Sequence, residues 1–167
     1  MLCYQGSDLR LRGYSDADWA NDPNDRKSTS GFVFMFGGGA ISWSNKKHDY
    51  VALSTMEAEY ISSCATTKEA VWLKRFLQTL GVVISASKPV KLLCDNMATI
   101  SFAKDPKFHD RTKYVDIKYH FVRTMTERKD VKFSYIPTRE MLADPMTKPI
   151  IRDLFFTHVR SMGLYRP

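Results

Sequence analysis

Four acidic residues stand where the strand and helix signals of this chain begin or end. They are Asp16 in Gly-Tyr-Ser-Asp-Ala-Asp-Trp, Glu59 in Ser-Thr-Met-Glu-Ala-Glu-Tyr, Asp95 in Leu-Leu-Cys-Asp-Asn and Asp144 in Met-Leu-Ala-Asp-Pro. Carboxylates that a fold gathers to one point repel each other unless positive charge sits between them. Oxygen-only ligands suit hard cations, Mg²⁺ above all, and Mg²⁺ is the usual companion of phosphate chemistry. None of the four persuades singly. Asp95 by itself reads better as a helix N-cap, and Asp144 as a surface aspartate beside a proline that fits a helix's first turn.

Helical geometry separates the two glutamates. At about 100° per residue, Glu57 shares a side with Lys68 and Arg75, whereas Glu59 lines up with Thr66, Ala70, Leu73 and Leu77, the face turned to a sheet. Ser54-Thr-Met-Glu57 is also a capping-box pattern, which gives Glu57 a structural task. A sheet-facing carboxylate with no purpose would be costly, so Glu59 is the candidate ligand. Asp16 and Asp18 lie two apart on one strand and point the same way, so alternation leaves both open.

The elements that must position these residues follow from periodicity and punctuation. Residues 9–15 read as a strand with Gly13 as a possible bulge, and 21–30 as a polar loop. Residues 32–36 and 40–44 form a hairpin through Gly37-Gly38-Gly39. A long helix over 54–80 stops at Gly81. The strand 90–94 is continuously apolar, which suits burial on both faces and a parallel neighbour. Helices over 96–103 and 114–129, a strand over 131–136, a short helix near 140–147 and another over 150–162 complete the chain. An antiparallel meander followed by α–β crossovers implies a mixed sheet with helices packed on it, an α/β (mixed α+β) class. Trp43, one of a strand's alternating residues, reads as core, with stacking on a sugar the alternative.

At 167 residues the chain suits one domain, taken as 1–167 with a core over about 9–148. With 44% hydrophobic and 26% charged residues it is not a disordered tail. No stretch approaches the roughly 20 apolar residues of a membrane helix, and no signal-peptide pattern opens it. Cys3, Cys64 and Cys94 lack metal-type spacing and read as reduced thiols. The net charge of +7 favours a polyanion such as nucleic acid. The charge clusters at 25–29, 45–48 and 104–113, in loops where function concentrates. Acidic candidates on so basic a chain point to a metal-dependent nuclease.

Together these motifs are more specific. The chain resembles the ribonuclease H domain of copia-type LTR retrotransposon Pol polyproteins. The resemblance is carried by residues 13–20, Asp25-Arg-Lys-Ser-Thr-Ser-Gly31, Ser54-Thr-Met-Glu-Ala-Glu-Tyr60, Cys94-Asp-Asn96, His120-Phe-Val-Arg123 and Leu142-Ala-Asp-Pro-Met-Thr-Lys-Pro149. It implies a ribonuclease H-like fold, with a five-stranded mixed sheet flanked by helices, and Met1 as a start within a longer reading frame. It also implies Asp16, Glu59, Asp95 and Asp144 as catalytic metal ligands, with Asp18 the runner-up to Asp16. Two Mg²⁺ ions, replaceable by Mn²⁺, would serve hydrolysis of the RNA strand of RNA–DNA hybrids to 5′-phosphate and 3′-hydroxyl ends. Asp16 is expected to bridge both ions.

Hybrid recognition would rest on shape and the 2′-hydroxyl. Arg26, Lys27, Ser28 and Thr29 are candidates for a phosphate pocket, with Lys46 and Lys47 nearby and Asn96 on the RNA strand. Arg111 and Lys113 belong to a basic loop that adds affinity. Relatives often carry a histidine before the last aspartate. Here that loop is Ile136-Pro-Thr-Arg139, and Arg139 is its candidate substitute. The implied partners are the hybrid and the neighbouring reverse transcriptase domain, with no membrane, in an intracellular, cytoplasmic virus-like particle. The alternative is a nucleic-acid-binding tether that does not cut.

Overall fold

The computed structural model describes residues 1–2, 4, 9–82, 88–104 and 113–165, with backbone alone at 104 and 113–116. Five strands form one sheet in the order β3-β2-β1-β4-β5. These are β1 (Arg12–Asp18), β2 (Thr29–Phe36), β3 (Gly39–Lys47), β4 (Val90–Cys94) and β5 (Val131–Tyr135). The opening meander is antiparallel, and β4 pairs in parallel with both β1 and β5, as its unbroken apolar run requires.

The first strand differs from expectation at both ends. It continues through Asp16 and Asp18, because β2 pairs with it along its whole length, Asp16 opposite Gly31 and Asp18 opposite Thr29. Tertiary pairing here overrides the low strand propensity of aspartate. Gly13 is no bulge: it pairs in register with Phe34 on one side and Leu92 on the other. A Cβ at this position would lie 2.6 Å from the Phe34 ring and 2.7 Å from Leu92 Cδ2, so the missing side chain lets these two close over the strand. The irregularity in the sheet falls between Phe34 and Met35 instead.

The helices are α1 (Thr55–Thr79), α2 (Met97–Lys104), α3 (Lys113–Glu127), α4 (Asp144–Thr147) and α5 (Arg152–Ser161), with a single 3₁₀ turn at Thr138–Glu140. The short helix expected over 140–147 is thus two pieces. Pro145 sits in the first turn of α4, where its missing N–H is harmless. One face of the sheet presents Phe34, Leu92, Cys94 and Phe133 to Tyr60, Leu73, Ile100 and Val122 of α1, α2 and α3. The other face presents Val33 and Leu93 to Leu142, Met141, Ala143 and Met162, so the C-terminal segment covers it. Cys64 and Cys94 are buried free thiols, and Cys3 lies outside the described residues.

Trp43 is a correction. It is 58% exposed, because β3 is an edge strand with no neighbour on its outer side. The capping box of α1 is present: Glu57 N–H donates to Ser54 Oγ, and Glu57 Oε2 accepts from the Leu53 amide at 2.7 Å. The α2 cap decides between the two readings of Asp95. Asn96 Oδ1 takes the Thr99 amide at 3.0 Å, which leaves the Asp95 carboxylate free of capping.

Candidate metal centre

Four elements deliver the carboxylates. Asp16 projects from the middle of β1 and is 1% exposed. Glu59 lies in the second turn of α1, 4% exposed, on the same buried face as Thr66, Ala70, Leu73 and Leu77. Asp95 follows the last residue of β4, and Asp144 opens α4, buried. One oxygen each from Asp16, Asp95 and Asp144 lie within 4.8 Å of one another. Glu59, Cys94 and Asp95 form a second group by the same measure. Asp95 is the residue common to both groups. Asp18 is in neither group, and Glu57 is occupied at the start of α1.

Burial sets the electrostatics. Desolvation, then the neighbouring charges of Asp16 and Asp95, push the Glu59 carboxyl up to about 9. Desolvation and the Asp16 charge push Asp144 up to about 6. Asp16 is raised by burial, against the pull of a Thr147 hydrogen bond and the Lys148 ammonium. Asp18, less buried, is raised by desolvation too. Glu59 Oε2 and Asp144 Oδ1 are buried without a hydrogen-bond donor, although the Lys148 ammonium approaches Asp144 Oδ1 to 3.1 Å. Orphaned buried carboxylate oxygens are expensive unless a cation satisfies them. The donor set therefore fits a hard divalent cation, supplied almost wholly by oxygen. The Cys94 thiol is the exception, and burial pushes it up to about 12, so it stays protonated beside the oxygens.

Three partners of these carboxylates escaped the sequence reading. Thr147 Oγ1 donates to Asp16 Oδ2. Lys148 Nζ lies 3.1 Å from Asp144 Oδ1 and 3.5 Å from Asp16 Oδ2. Thr138 Oγ1 donates to Asp95 Oδ2 at 2.6 Å. The lysine had a signal, since it stands four residues after Asp144 on a helical turn. The threonines had none, because strand pairing and loop closure bring them in from afar.

The basic candidates are brought together in part. Lys47, at the end of β3, reaches the 22–27 turn, where it pairs with Asp22 at 2.5 Å and Asp25 at 3.1 Å. Lys27 also pairs with Asp25, and Lys46 with Asp49. Arg26 is exposed at the tip with φ 56°. Ser28 is fully buried and accepts the Ala20 amide, so its hydroxyl braces the loop. Thr29 opens β2, and Asn96 caps α2. Arg139 is exposed in the 3₁₀ turn and lines a cavity of about 410 Å³ with Arg12, Tyr14 and His158; none of the four carboxylates lines it. Arg111 and the Lys113 side chain lie outside the described residues.

No family model matches the chain. Over 164 residues, 98% of its length, it is 47% identical to the retrovirus-related Pol polyprotein from transposon TNT 1-94 of Nicotiana tabacum. The chain belongs to the copia-type retrotransposon Pol polyproteins. This copia-type segment spans 12% of the length of that tobacco relative. Its fold is similar to the N-terminal RNase H domain of a Mycobacterium tuberculosis protein, with a TM-score of 0.60 at 13% identity, covering 92% of this chain and 98% of that one. It is also similar to LC11-RNase H1, solved in complex with an RNA/DNA hybrid. That TM-score is 0.59 at 15% identity, with 83% and 94% covered. The copia-type chain thus has an RNase H-like fold, and its acidic cluster is consistent with a metal site. Among the described residues, no helix is long and apolar enough to cross a membrane.

Proposed function

We propose that this domain is a metal-dependent endoribonuclease that hydrolyses the RNA strand of RNA–DNA hybrids during retrotransposon reverse transcription. The observation that carries the reading is the convergence of Asp16, Asp95 and Asp144 oxygens within 4.8 Å, with Glu59 reaching Asp95 from the helix side. Glu59, Asp95, Asp16 and Asp144 would hold Mg²⁺, or Mn²⁺ in its place. Bound there, a pair of such ions would lower the pKa of a water and offset charge on the leaving 3′ oxygen.

The chain's own residues do the rest. Thr147 and Thr138 fix the orientation of the Asp16 and Asp95 carboxylates by donating to one oxygen each. The Ser62 hydroxyl donates to the Asp16 carbonyl at 2.7 Å and ties α1 to β1. Arg26, Lys27, Thr29, Lys46 and Lys47, with Ser28 bracing their loop, would contact backbone phosphates. Asn96 would approach the RNA strand beside Asp95, and Arg111 and Lys113 would add positive charge. Arg139 follows the Thr138 hydroxyl and is the proposed substitute for a product-release histidine. LC11-RNase H1 was solved with a hybrid, which supports the same substrate class for this fold. The reverse transcriptase domain of the polyprotein and a cytoplasmic virus-like particle are the proposed partner and setting.

The test is cleavage of an RNA-labelled hybrid with Mg²⁺ or Mn²⁺, compared with single-stranded RNA and duplex DNA. Hybrid-specific products with 5′-phosphate ends support the reading. Tight hybrid binding with no cleavage in either metal means a tether, and cleavage of duplex DNA means another nuclease class.

A further inference from the structure

Lys148 is held in place by its backbone. It caps the C-terminal end of α4 in an extended conformation, φ −142° and ψ 155°, and its amide donates to the Asp144 carbonyl at 3.1 Å. Pro149 follows and restricts its predecessor to that same extended region. The side chain is 31% exposed, and its ammonium meets two carboxylates. Nζ lies 3.1 Å from Asp144 Oδ1 and 3.5 Å from Asp16 Oδ2. Among the described residues, Lys148 is the cation paired with the acidic cluster.

We propose that Lys148 is a built-in counter-cation that competes with divalent metal for the Asp16–Asp144 pair. It holds these carboxylates together in the metal-free chain and weakens their grip on the ion. A compact ammonium on a flexible stem suits this task, because it can leave toward solvent when a doubly charged ion enters. Two like charges left facing each other at this separation, with most of their water removed, would otherwise spread the cluster. The inference rests on the metal-site reading above.

The test is Mn²⁺ binding by calorimetry to the purified chain, with K148Q and K148R beside it. K148Q binds Mn²⁺ about tenfold more tightly than the unaltered chain, whereas K148R, which keeps the charge, stays within about twofold of it. Metal also raises the thermal midpoint of K148Q by more than that of the unaltered chain. A second measurement needs no loss of charge: in protein labelled with ¹⁵N-lysine, the Lys148 ammonium resonance shifts on addition of Mg²⁺, with K148R assigning it. Saturable binding of equal or weaker affinity in K148Q, or a resonance that ignores Mg²⁺ at saturation, overturns the proposal alone. Absence of saturable Mn²⁺ binding in every form overturns it together with the metal-site reading.

Discussion

Gly31 of β2 and Thr147 of α4 are in close approach: a Cβ on Gly31 would lie 2.7 Å from Thr147 Cγ2 and 2.8 Å from Met146 Cβ. Gly31 is the strand partner of Asp16, and Thr147 donates to the Asp16 carboxylate. A bare backbone at Gly31 is therefore what lets α4 sit on β2 and bring Asp144, Thr147 and Lys148 against Asp16. Gly31→Ala must displace α4. It is expected to destabilise by about 1–3 kcal/mol and to reduce divalent-ion affinity in the same variant. Denaturant unfolding and Mn²⁺ calorimetry check it; unchanged metal affinity would show that α4 placement does not set the site.

The carboxyls of Glu59, pushed up to about 9, and Asp144, pushed up to about 6, make metal-free stability depend on pH. Both folded-state values exceed the unfolded ones, so the folded chain binds more protons. Stability is then greatest below the unfolded values, near pH 4, and is lost as pH rises through 6 and on toward 9. In EDTA the unfolding midpoint should fall from pH 5 to pH 8. In Mg²⁺ the fall should flatten or reverse, because the ion favours the ionised carboxylates. A midpoint that rises with pH in EDTA would contradict this.

Glu59→Gln and Glu57→Gln should part company. Glu59→Gln removes a buried carboxyl whose ionisation is suppressed, so metal-free stability at pH 7 rises by on the order of 2 kcal/mol while hybrid cleavage falls at least about 100-fold. Glu57→Gln weakens the acceptor for the Leu53 amide, at about 0.5–1 kcal/mol, and leaves the cleavage rate in place. Steady-state kinetics and unfolding of both variants decide it; the reverse pattern would make Glu57 the ligand.

These two glutamates also mark what the sequence made legible. Helical phase and a capping box separate them without coordinates, because both effects are local and repeat with the helix. The parallel pairing of β4 was likewise readable from its unbroken apolar run. The missed features depend on distant partners. β1 runs through Asp16 and Asp18 because β2 pairs there, and Gly13 stays in register because Phe34 and Leu92 close over it. Asn96 takes the α2 cap, a choice between neighbours that composition cannot make, and this leaves Asp95 to the carboxylate cluster. Trp43 is exposed because β3 is an edge strand, and strand order is not written in the alternation of its residues.

Arg26 is exposed at the tip of the 22–27 turn, while Lys47 and Lys27 are drawn to Asp22 and Asp25. Arg26→Ala is expected to weaken hybrid binding with little dependence on base sequence, and to reduce the slope of log affinity against log salt by about one. Fluorescence anisotropy at several salt concentrations measures both. An unchanged slope would remove Arg26 from the phosphate contacts.

The central claim is that Asp16, Glu59, Asp95 and Asp144 share divalent ions. An anomalous difference map from a crystal soaked in Mn²⁺ addresses it most directly. The account predicts strong peaks within bonding distance of the Asp16, Asp95 and Asp144 oxygens, with Glu59 contributing beside Asp95. Peaks elsewhere on the surface, with this cluster empty at saturating Mn²⁺, would contradict it.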